Sequence, residues 1–139
     1  IIGDGPLKTK LENKYPNISF VGWKNKDEIN NYFKNTRILI LPSLWYEGAP
    51  LVPLEAMNYG IPCVISDKCA AIEYIENKNG EIYNTDEKGS LVRAINIIES
   101  DIEVYSVNAE NYVLQRRKEK YYENIVQYFS EVIDHSEKN

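Results

Sequence analysis

The sequence has too few metal-binding and thiol side chains for a metal centre or a disulfide framework. It contains two cysteines, Cys63 and Cys69, and a single histidine, His135. Structural zinc sites draw several ligands from closely spaced Cys and His residues, and small secreted domains depend on several paired cysteines. We therefore expect no bound metal and no structural disulfide. Two thiols also fit a reducing cytosol.

Long apolar runs and an excess of positive charge are missing as well. No stretch approaches the ~20 apolar residues that span a bilayer, and no signal peptide is visible. The formal net charge is −5 at pH 7, whereas nucleic-acid binding depends on an excess of clustered Lys and Arg. The sequence therefore disfavours nucleic acid as a partner and contains no candidate membrane span.

What the sequence does contain is the composition of one compact domain. Of its 139 residues, 43% are hydrophobic and 27% are charged, and a chain of this length buries most of its apolar surface. It opens without Met, with Ile1 and Ile2 running directly into Gly3, which is typical of the end of a buried strand. We expect residues 1–139 to be one domain that is truncated at its N-terminal edge.

Short apolar runs alternate with amphipathic stretches along the chain, which indicates strand–helix repeats on a parallel sheet. The uninterrupted apolar run before Pro42 predicts a central strand that is buried on both faces. Strands are predicted over residues 1–2, 18–21, 37–41, 63–66 and 81–83. Helices are predicted over residues 7–15, from 26, over 50–58, 70–75, 87–99 with Asp86 as N-cap, 102–115 and 118–133. The pattern predicts an α/β, Rossmann-like fold with helices on both faces.

The most informative segment, residues 42–57, directly follows that predicted central strand. In open parallel sheets ligands bind at the carboxyl ends of strands, where helix N-termini present unpaired N–H groups to anions. If a helix begins near Pro50, neither Pro50 nor Pro53 has an N–H to offer. Leu51 and Val52 are then the remaining amide donors of the first turn, a pair suited to binding a phosphate.

Two glutamates, Glu47 and Glu55, flank this predicted helix start. Glu55 lies one turn beyond Leu51 on the same helix face, and carboxylates accept hydrogen bonds from sugar hydroxyls. Alternatively, the two acids simply complement the helix dipole, an effect of ~0.3–1 kcal/mol each. Their spacing alone favours neither interpretation.

Together these residues resemble the Glu-x7-Glu signature of family 4 retaining glycosyltransferases, whose two-domain architecture is called GT-B. Further matching motifs occur in the order of that family, and the resemblance covers residues 1–85. They are Gly3-Asp4-Gly5-Pro6, Asn17-Ile18-Ser19-Phe20-Val21-Gly22, Leu41-Pro42-Ser43, Glu55-Ala56-Met57-x-x-Gly60-x-Pro62 and Ser66-Asp67. The resemblance identifies the chain as the C-terminal, donor-binding half of a GT-B fold, which ends in C-terminal helices.

The resemblance implies transfer of a sugar from a nucleoside diphosphate donor with retained configuration, without a cofactor or a metal. It implies that Glu47 acts as the catalytic residue on the donor sugar. Leu51 and Val52 bind the diphosphate through their amides, and Glu55 binds the ribose. Many family members have glycine where this chain has Pro50, which removes one amide donor here.

Four residues nearer the N-terminus complete the implied donor site. Trp23 and Lys24, in the loop after Gly22, are placed against the base, although Trp23 can also be read as a packing residue. Gly3 and Gly5 of the first glycine turn are assigned to the same site. The basic residues with which this family neutralises the diphosphate precede Ile1, so we expect the isolated fragment to bind nucleotide weakly and to be inactive.

The resemblance also implies the wider setting of the enzyme. The acceptor, a sugar or a lipid-linked glycan, is implied to bind to an N-terminal domain that the chain lacks, in surface polysaccharide or glycolipid synthesis. A cytoplasmic location is implied, with peripheral association at the inner face of the membrane left open. Alternative interpretations are a non-catalytic nucleotide-sugar-binding or interaction domain and a GT-B-type epimerase. A flavodoxin-like or receiver domain would need an acidic cluster or phosphate loop that the sequence lacks.

Overall fold

The computed structural model describes residues 1–45, 50–116 and 125–127. The chain divides into two compact units, Ile1–Thr36 and Arg37–Asn139. Of the predicted helix over residues 118–133, only residues 125–127 are described, and they are helical. The remainder of that prediction lies outside the described residues.

The first unit contains two helices, α1 (Lys8–Lys14) and α2 (Lys26–Phe33). A capping box starts α2: the Asn25 side chain accepts from the N–H of Glu28, and the Glu28 carboxylate accepts from the N–H of Asn25, each at 3.0 Å. These two bonds satisfy N–H groups that a helix start otherwise leaves unpaired. They explain why the helix begins at residue 26, as predicted.

The strand predicted over residues 18–21 is wrong. The described residues of the first unit form only one isolated antiparallel bridge, between Gly3 and Gly22. Gly3 donates to the Gly22 carbonyl at 2.8 Å, and Val21 donates to the Ile1 carbonyl at 2.9 Å. Both glycines have positive φ, +125° and +72°, and this conformation turns the chain away from an extended ladder.

The second unit contains a parallel sheet of three strands, in the order β1 (Leu39–Leu41), β2 (Cys63–Ser66) and β3 (Gly80–Tyr83). All the pairings are parallel. Parallel neighbours require crossover connections, and helical segments occupy both of them here. The predicted α/β, Rossmann-like fold class is confirmed.

The position of β1 in this sheet differs from the prediction. Within the described sheet β1 is an edge strand, and its Ile40 is 41% exposed, whereas every residue of the central strand β2 is buried. An uninterrupted apolar run indicates burial but does not identify which strands lie on either side. The run before Pro42 therefore could not distinguish a central strand from an edge strand.

The remaining elements of the second unit follow the predicted order. They are α3 (Val52–Met57), a 3-10 helix (Ala70–Tyr74), α4 (Ser90–Ser100) and α5 (Ile102–Leu114). Gly60, at φ +67°, terminates the α3 segment as predicted. Its N–H donates to the Met57 carbonyl at 2.9 Å, and Ile61 donates to the Ala56 carbonyl at 3.2 Å, the bond pair of a Schellman motif.

Asp86 does not cap a helix, so that prediction is wrong. The Asn84 side chain accepts from the N–H of Asp86 at 2.8 Å, and this local turn delays α4 until after Gly89, at φ +85°. The Asp86 carboxylate instead pairs with Lys68 at 3.1 Å. Asn side chains commonly compete in this way with helix initiation.

The core of the second unit lies between the sheet and α4 and α5. Its central members are Val64, Tyr83, Ala94, Ile98 and Tyr105. The Tyr105 hydroxyl donates to the Glu81 carboxylate. Burial of the ring is the main cause of a raised pKa of Tyr105, and this bond is the second cause. The hydroxyl therefore stays protonated and hydrogen-bonded inside the core.

Both thiols are buried, and we expect neither to react in the folded chain. Burial raises the pKa of Cys63 from 9.0 to about 12, and the thiolate is the nucleophilic form. An aromatic disulfide reagent at about pH 8 should titrate almost no thiol in buffer and both thiols after urea denaturation. A Cys63→Ser variant retains only Cys69, so comparison with the parent shows which thiol has reacted. Immediate reaction without denaturant would contradict this placement.

Candidate functional site

The carboxyl ends of the three parallel strands define one edge of the sheet in the second unit. Ser43 follows β1, Asp67 follows β2 and Asn84 follows β3. This is the edge at which open α/β sheets bind ligands, because the helices that follow the strands begin there. The candidate site of the second unit is built on this edge.

Asp67 holds two of the loops at this edge together. Its carboxylate accepts from the Thr85 hydroxyl at 2.8 Å and from the Thr85 N–H at 3.2 Å. The hydroxyl bond, assisted by the Thr85 N–H and by Lys68, keeps the pKa of the Asp67 carboxyl below its usual value. Asp67 is therefore an ionised structural acid that fixes the loops after β2 and β3.

The first turn of α3 presents unpaired amides at the same edge. The helix begins at Val52 with Leu51 as N-cap, so it starts two residues later than predicted. Glu55 already donates its N–H to the Leu51 carbonyl at 2.9 Å. Among the residues that the structure describes, no acceptor lies on the N–H groups of Leu51 and Val52, and these residues are 63% and 41% exposed.

Leu54 offers a third amide that the sequence reasoning missed. It is the third residue of α3, and its N–H likewise has no acceptor within residues 1–45, 50–116 and 125–127. Pro53 occupies the position between Val52 and Leu54 and has no N–H to offer. The helix was predicted to start two residues earlier, and that placement had hidden this donor.

Glu55 is the acidic residue of this first turn. It is half-buried, and its carboxylate has neither a hydrogen-bond donor nor a cation as partner in the described part of the chain. Partial burial of a carboxylate without a protein partner is costly. Hydroxyl groups of a ligand would offset this cost by donating hydrogen bonds to the Glu55 carboxylate. Glu47, the other predicted acid, lies outside the described residues.

In the first unit, Asp4 organises the predicted base-binding loop. Its carboxylate accepts from Lys8 at 2.8 Å and from the N–H of Trp23 at 2.7 Å. The bond from Lys8, which has the larger effect, and the bond from the Trp23 N–H both lower the pKa of the Asp4 carboxyl. Asp4 thus joins the glycine turn to the loop after Gly22, a role that was not predicted because it depends on residues nineteen positions apart.

The four predicted residues of the first unit occupy these two loops. Trp23 is 71% exposed, so its indole is not a packing residue of the described structure. Lys24 is paired with Glu28 at 2.9 Å, and this bond raises the pKa of Lys24. Gly3 has φ +125°, and a Cβ on either Gly3 or Gly5 would meet no atom within 4 Å, so the surface at both glycines is open.

The described residues contain neither a metal-binding cluster nor a membrane-spanning helix. No group of three or more His, Cys, Asp or Glu side chains in residues 1–45, 50–116 and 125–127 is arranged to hold a metal ion. None of the helices within these same ranges has the length and apolar character needed to cross a bilayer.

Comparison with known proteins matches most of the chain to one family. The family described as glycosyl transferases group 1 matches residues 1–112. The UDP-Gal:alpha-D-GlcNAc-diphosphoundecaprenol alpha-1,3-galactosyltransferase of Escherichia coli is 30% identical over 124 residues, which cover 82% of this chain and 31% of that enzyme. The chain therefore spans about a third of the length of this relative.

Solved structures agree with this match. The lipopolysaccharide outer core galactosyltransferase WaaB in its apo form is 28% identical, with a TM-score of 0.71 over 94% of this chain and 40% of that one. Anabaena HepE in complex with UDP and glucose is 21% identical, with a TM-score of 0.69 over 96% of this chain and 39% of that one. Because HepE is only 21% identical to this chain, its similarity shows the fold alone.

Proposed function

Because this chain belongs to the glycosyl transferases group 1 family, we propose that it is the donor-binding part of a retaining glycosyltransferase. The observation that carries the proposal is the first turn of α3, at the carboxyl edge of the sheet. There the amides of Leu51 and Val52, which have no acceptor among the described residues, lie one helical turn from the Glu55 carboxylate, which has no partner among those residues either. A nucleoside diphosphate offers the matching groups, since its phosphates accept hydrogen bonds and its ribose donates them.

In this proposal each group meets one part of the donor. Leu51 and Val52 donate to the diphosphate, Glu55 accepts from the ribose hydroxyls, and Glu47 contacts the hydroxyls of the sugar. As the bond to the sugar breaks, negative charge grows on the departing diphosphate. Amides and the positive end of a helix stabilise such charge without having to reorganise, and no metal is invoked in this step.

For the first unit we propose contacts with the base of the nucleotide. Trp23 offers an exposed indole, and Lys24 lies beside it with its ammonium held by Glu28. Gly3 and Gly5 leave open backbone surface that a ligand can approach closely. If a Trp23→Ala variant bound nucleotide with the same affinity as the parent, the proposed contact between the indole and the base would be wrong.

Uridine is the proposed nucleoside, and a lipid-linked glycan is the proposed acceptor. The Escherichia coli relative is named for a UDP-galactose donor and a diphosphoundecaprenol acceptor, and Anabaena HepE was solved with UDP. Other relatives are named for amylovoran biosynthesis and as a lipopolysaccharide galactosyltransferase. We place the full enzyme in surface polysaccharide synthesis in the cytoplasm, with peripheral association at the membrane that carries such an acceptor.

Calorimetric titration of this chain with UDP, GDP and ADP tests donor binding. We expect UDP to bind most tightly, with a Kd on the order of 1 mM, and we expect the fragment to show no turnover. Absence of binding by all three nucleotides would count against the site. For the full-length enzyme, product anomers followed by NMR test retention, and unchanged turnover in EDTA tests the metal-free step.

Glu47→Ala in the full-length enzyme is expected to damage turnover much more than nucleotide binding. Since Glu47 is proposed to contact the sugar, its loss should lower kcat by about 100-fold or more and leave the Kd for UDP within about twofold. Steady-state kinetics and calorimetry measure the two effects. A weakened Kd with unchanged kcat would reverse the assignment.

A further inference from the structure

We propose that Ser66 is a positioning residue for the donor site, acting through the chain segment that joins β1 to α3. The inference rests on the proposed function, because the segment leads to the amides of Leu51 and Val52. It goes beyond that function by assigning a role to a buried hydroxyl that does not itself contact the donor.

The Ser66 hydroxyl joins the ends of two neighbouring strands. Ser66 is the last residue of β2 and is completely buried. Its hydroxyl donates to the main-chain carbonyl of Ser43, two residues beyond the end of β1. The register pairs Leu41 with Ile65, so this bond continues the connection between the strands just past their last paired residues.

A second contact from β2 reaches the other end of the same segment. Cys63, the first residue of β2, places its sulfur 3.8 Å from the carbonyl oxygen of Pro53, in the first turn of α3. Pro53 is fully buried, and Pro50 is also buried. Ser66 and Cys63 therefore hold the beginning of the segment and the start of the helix against one strand.

A hydroxyl is needed at this position for a physical reason. Burying a hydroxyl without a partner is unfavourable, and burying an unpaired carbonyl is equally so. Ser66 and Ser43 satisfy each other, and removal of the hydroxyl leaves the Ser43 carbonyl unpaired at the start of the segment. Residues 43–45 should then shift toward water, and small displacements of binding groups cost large factors in rate.

The test compares Ser66→Ala, Ser66→Thr and Ser106→Ala in the full-length enzyme. Ser106 is the matched control, because its hydroxyl also donates to a main-chain carbonyl, that of Gly60 at 2.6 Å, but at the opposite end of α3. We expect Ser66→Ala to lower kcat/KM for the donor by about tenfold and to leave the KM of the acceptor unchanged. Ser66→Thr should regain most of this loss, and Ser106→Ala should resemble the parent.

Hydrogen exchange supplies a readout that is independent of turnover. In Ser66→Ala, peptides that contain Trp45 should exchange faster, whereas Ser106→Ala should leave them unchanged. Equal behaviour of Ser66→Ala and Ser106→Ala, or Ser66→Thr no more active than Ser66→Ala, would overturn the proposal. If Ser66→Ala does not fold, Ser66→Cys replaces it, with a weaker donor of similar shape and the same expectations. A parent enzyme without transferase activity would refute the proposed function, while the exchange data would still test the anchoring by Ser66.

Discussion

A Gly80→Ala variant is expected to lose roughly 3–5 kcal/mol of its free energy of unfolding. A Cβ at this position would lie 2.4 Å from the carbonyl oxygen of Cys63 and 2.7 Å from Cδ1 of Ile75. The Ile75 side chain can rotate away, but the Cys63 carbonyl belongs to the buried central strand, with which Gly80 is paired. Relief therefore requires β3 to move away from β2, which breaks the parallel ladder.

Two other glycines turn this expectation into a graded series measured by urea denaturation. Gly5→Ala meets no atom within 4 Å and should be nearly neutral. Gly89→Ala meets nothing closer than 3.7 Å but imposes φ +85° on alanine, which costs about 1–2 kcal/mol. If Gly80→Ala proved no more destabilising than Gly89→Ala, the close pairing of β2 with β3 at this point would be wrong.

Glu55→Ala is expected to weaken UDP binding by roughly 10- to 100-fold, the effect of losing hydrogen bonds to a charged acceptor. The carboxylate is half-buried and has no protein partner in the ranges that the structure describes, so its removal should cost the folded chain little. Glu55→Gln keeps one acceptor oxygen and should lie between the parent and Glu55→Ala. Calorimetry with UDP measures the affinity, and thermal denaturation without ligand measures the stability.

The matched control for Glu55 is Glu103, the exposed acidic residue in the first turn of α5. If Glu55 only complemented a helix dipole, both alanine variants would lose a similar ~0.3–1 kcal/mol of stability, and neither would affect UDP. The proposed role requires loss of affinity in Glu55→Ala alone. Unchanged UDP affinity in both variants would mean that Glu55 only complements the helix dipole and does not bind the donor.

Most of the described helices were predictable because their signals are local. α2 begins where Asn25 and Glu28 exchange side-chain bonds with each other's backbone, and the α3 segment ends where Gly60 adopts positive φ. Each signal lies within a few residues of the boundary that it sets. The failure at Asp86 also has a local cause, because the side chain of Asn84, two residues away, accepts a hydrogen bond from the Asp86 N–H.

The errors in the sheet have a non-local origin. The apolar character of residues 18–21 suits a strand, but pairing ends after a single bridge between Gly3 and Gly22. β1 has the composition of a central strand, yet in the described sheet only β2 has neighbours on both sides. Strand pairing joins residues that are distant in sequence, so composition cannot specify it.

The proposed donor site likewise combines local features, which the sequence predicts, with non-local features, which it does not. The prolines at positions 50 and 53 single out Leu51 and Val52 from sequence alone, because the missing N–H is a covalent property of proline. The proposed contributions of Leu54, Asp4 and Ser66 depend on where a helix starts or on which distant atom a side chain reaches. No motif in the sequence carried that information.

The order of amino acids alone was enough to predict the glycosyltransferase family through its resemblance to known motifs. It also predicted the α/β class through its apolar periodicity, and the amides of Leu51 and Val52 through the missing N–H of the neighbouring prolines. The folded chain was needed to place β1 at an edge of the described sheet, to begin α3 at Val52 and to show that Glu55 has no partner in residues 1–45, 50–116 and 125–127. These properties are set by packing between segments far apart along the chain, whose free energy no local window of sequence contains.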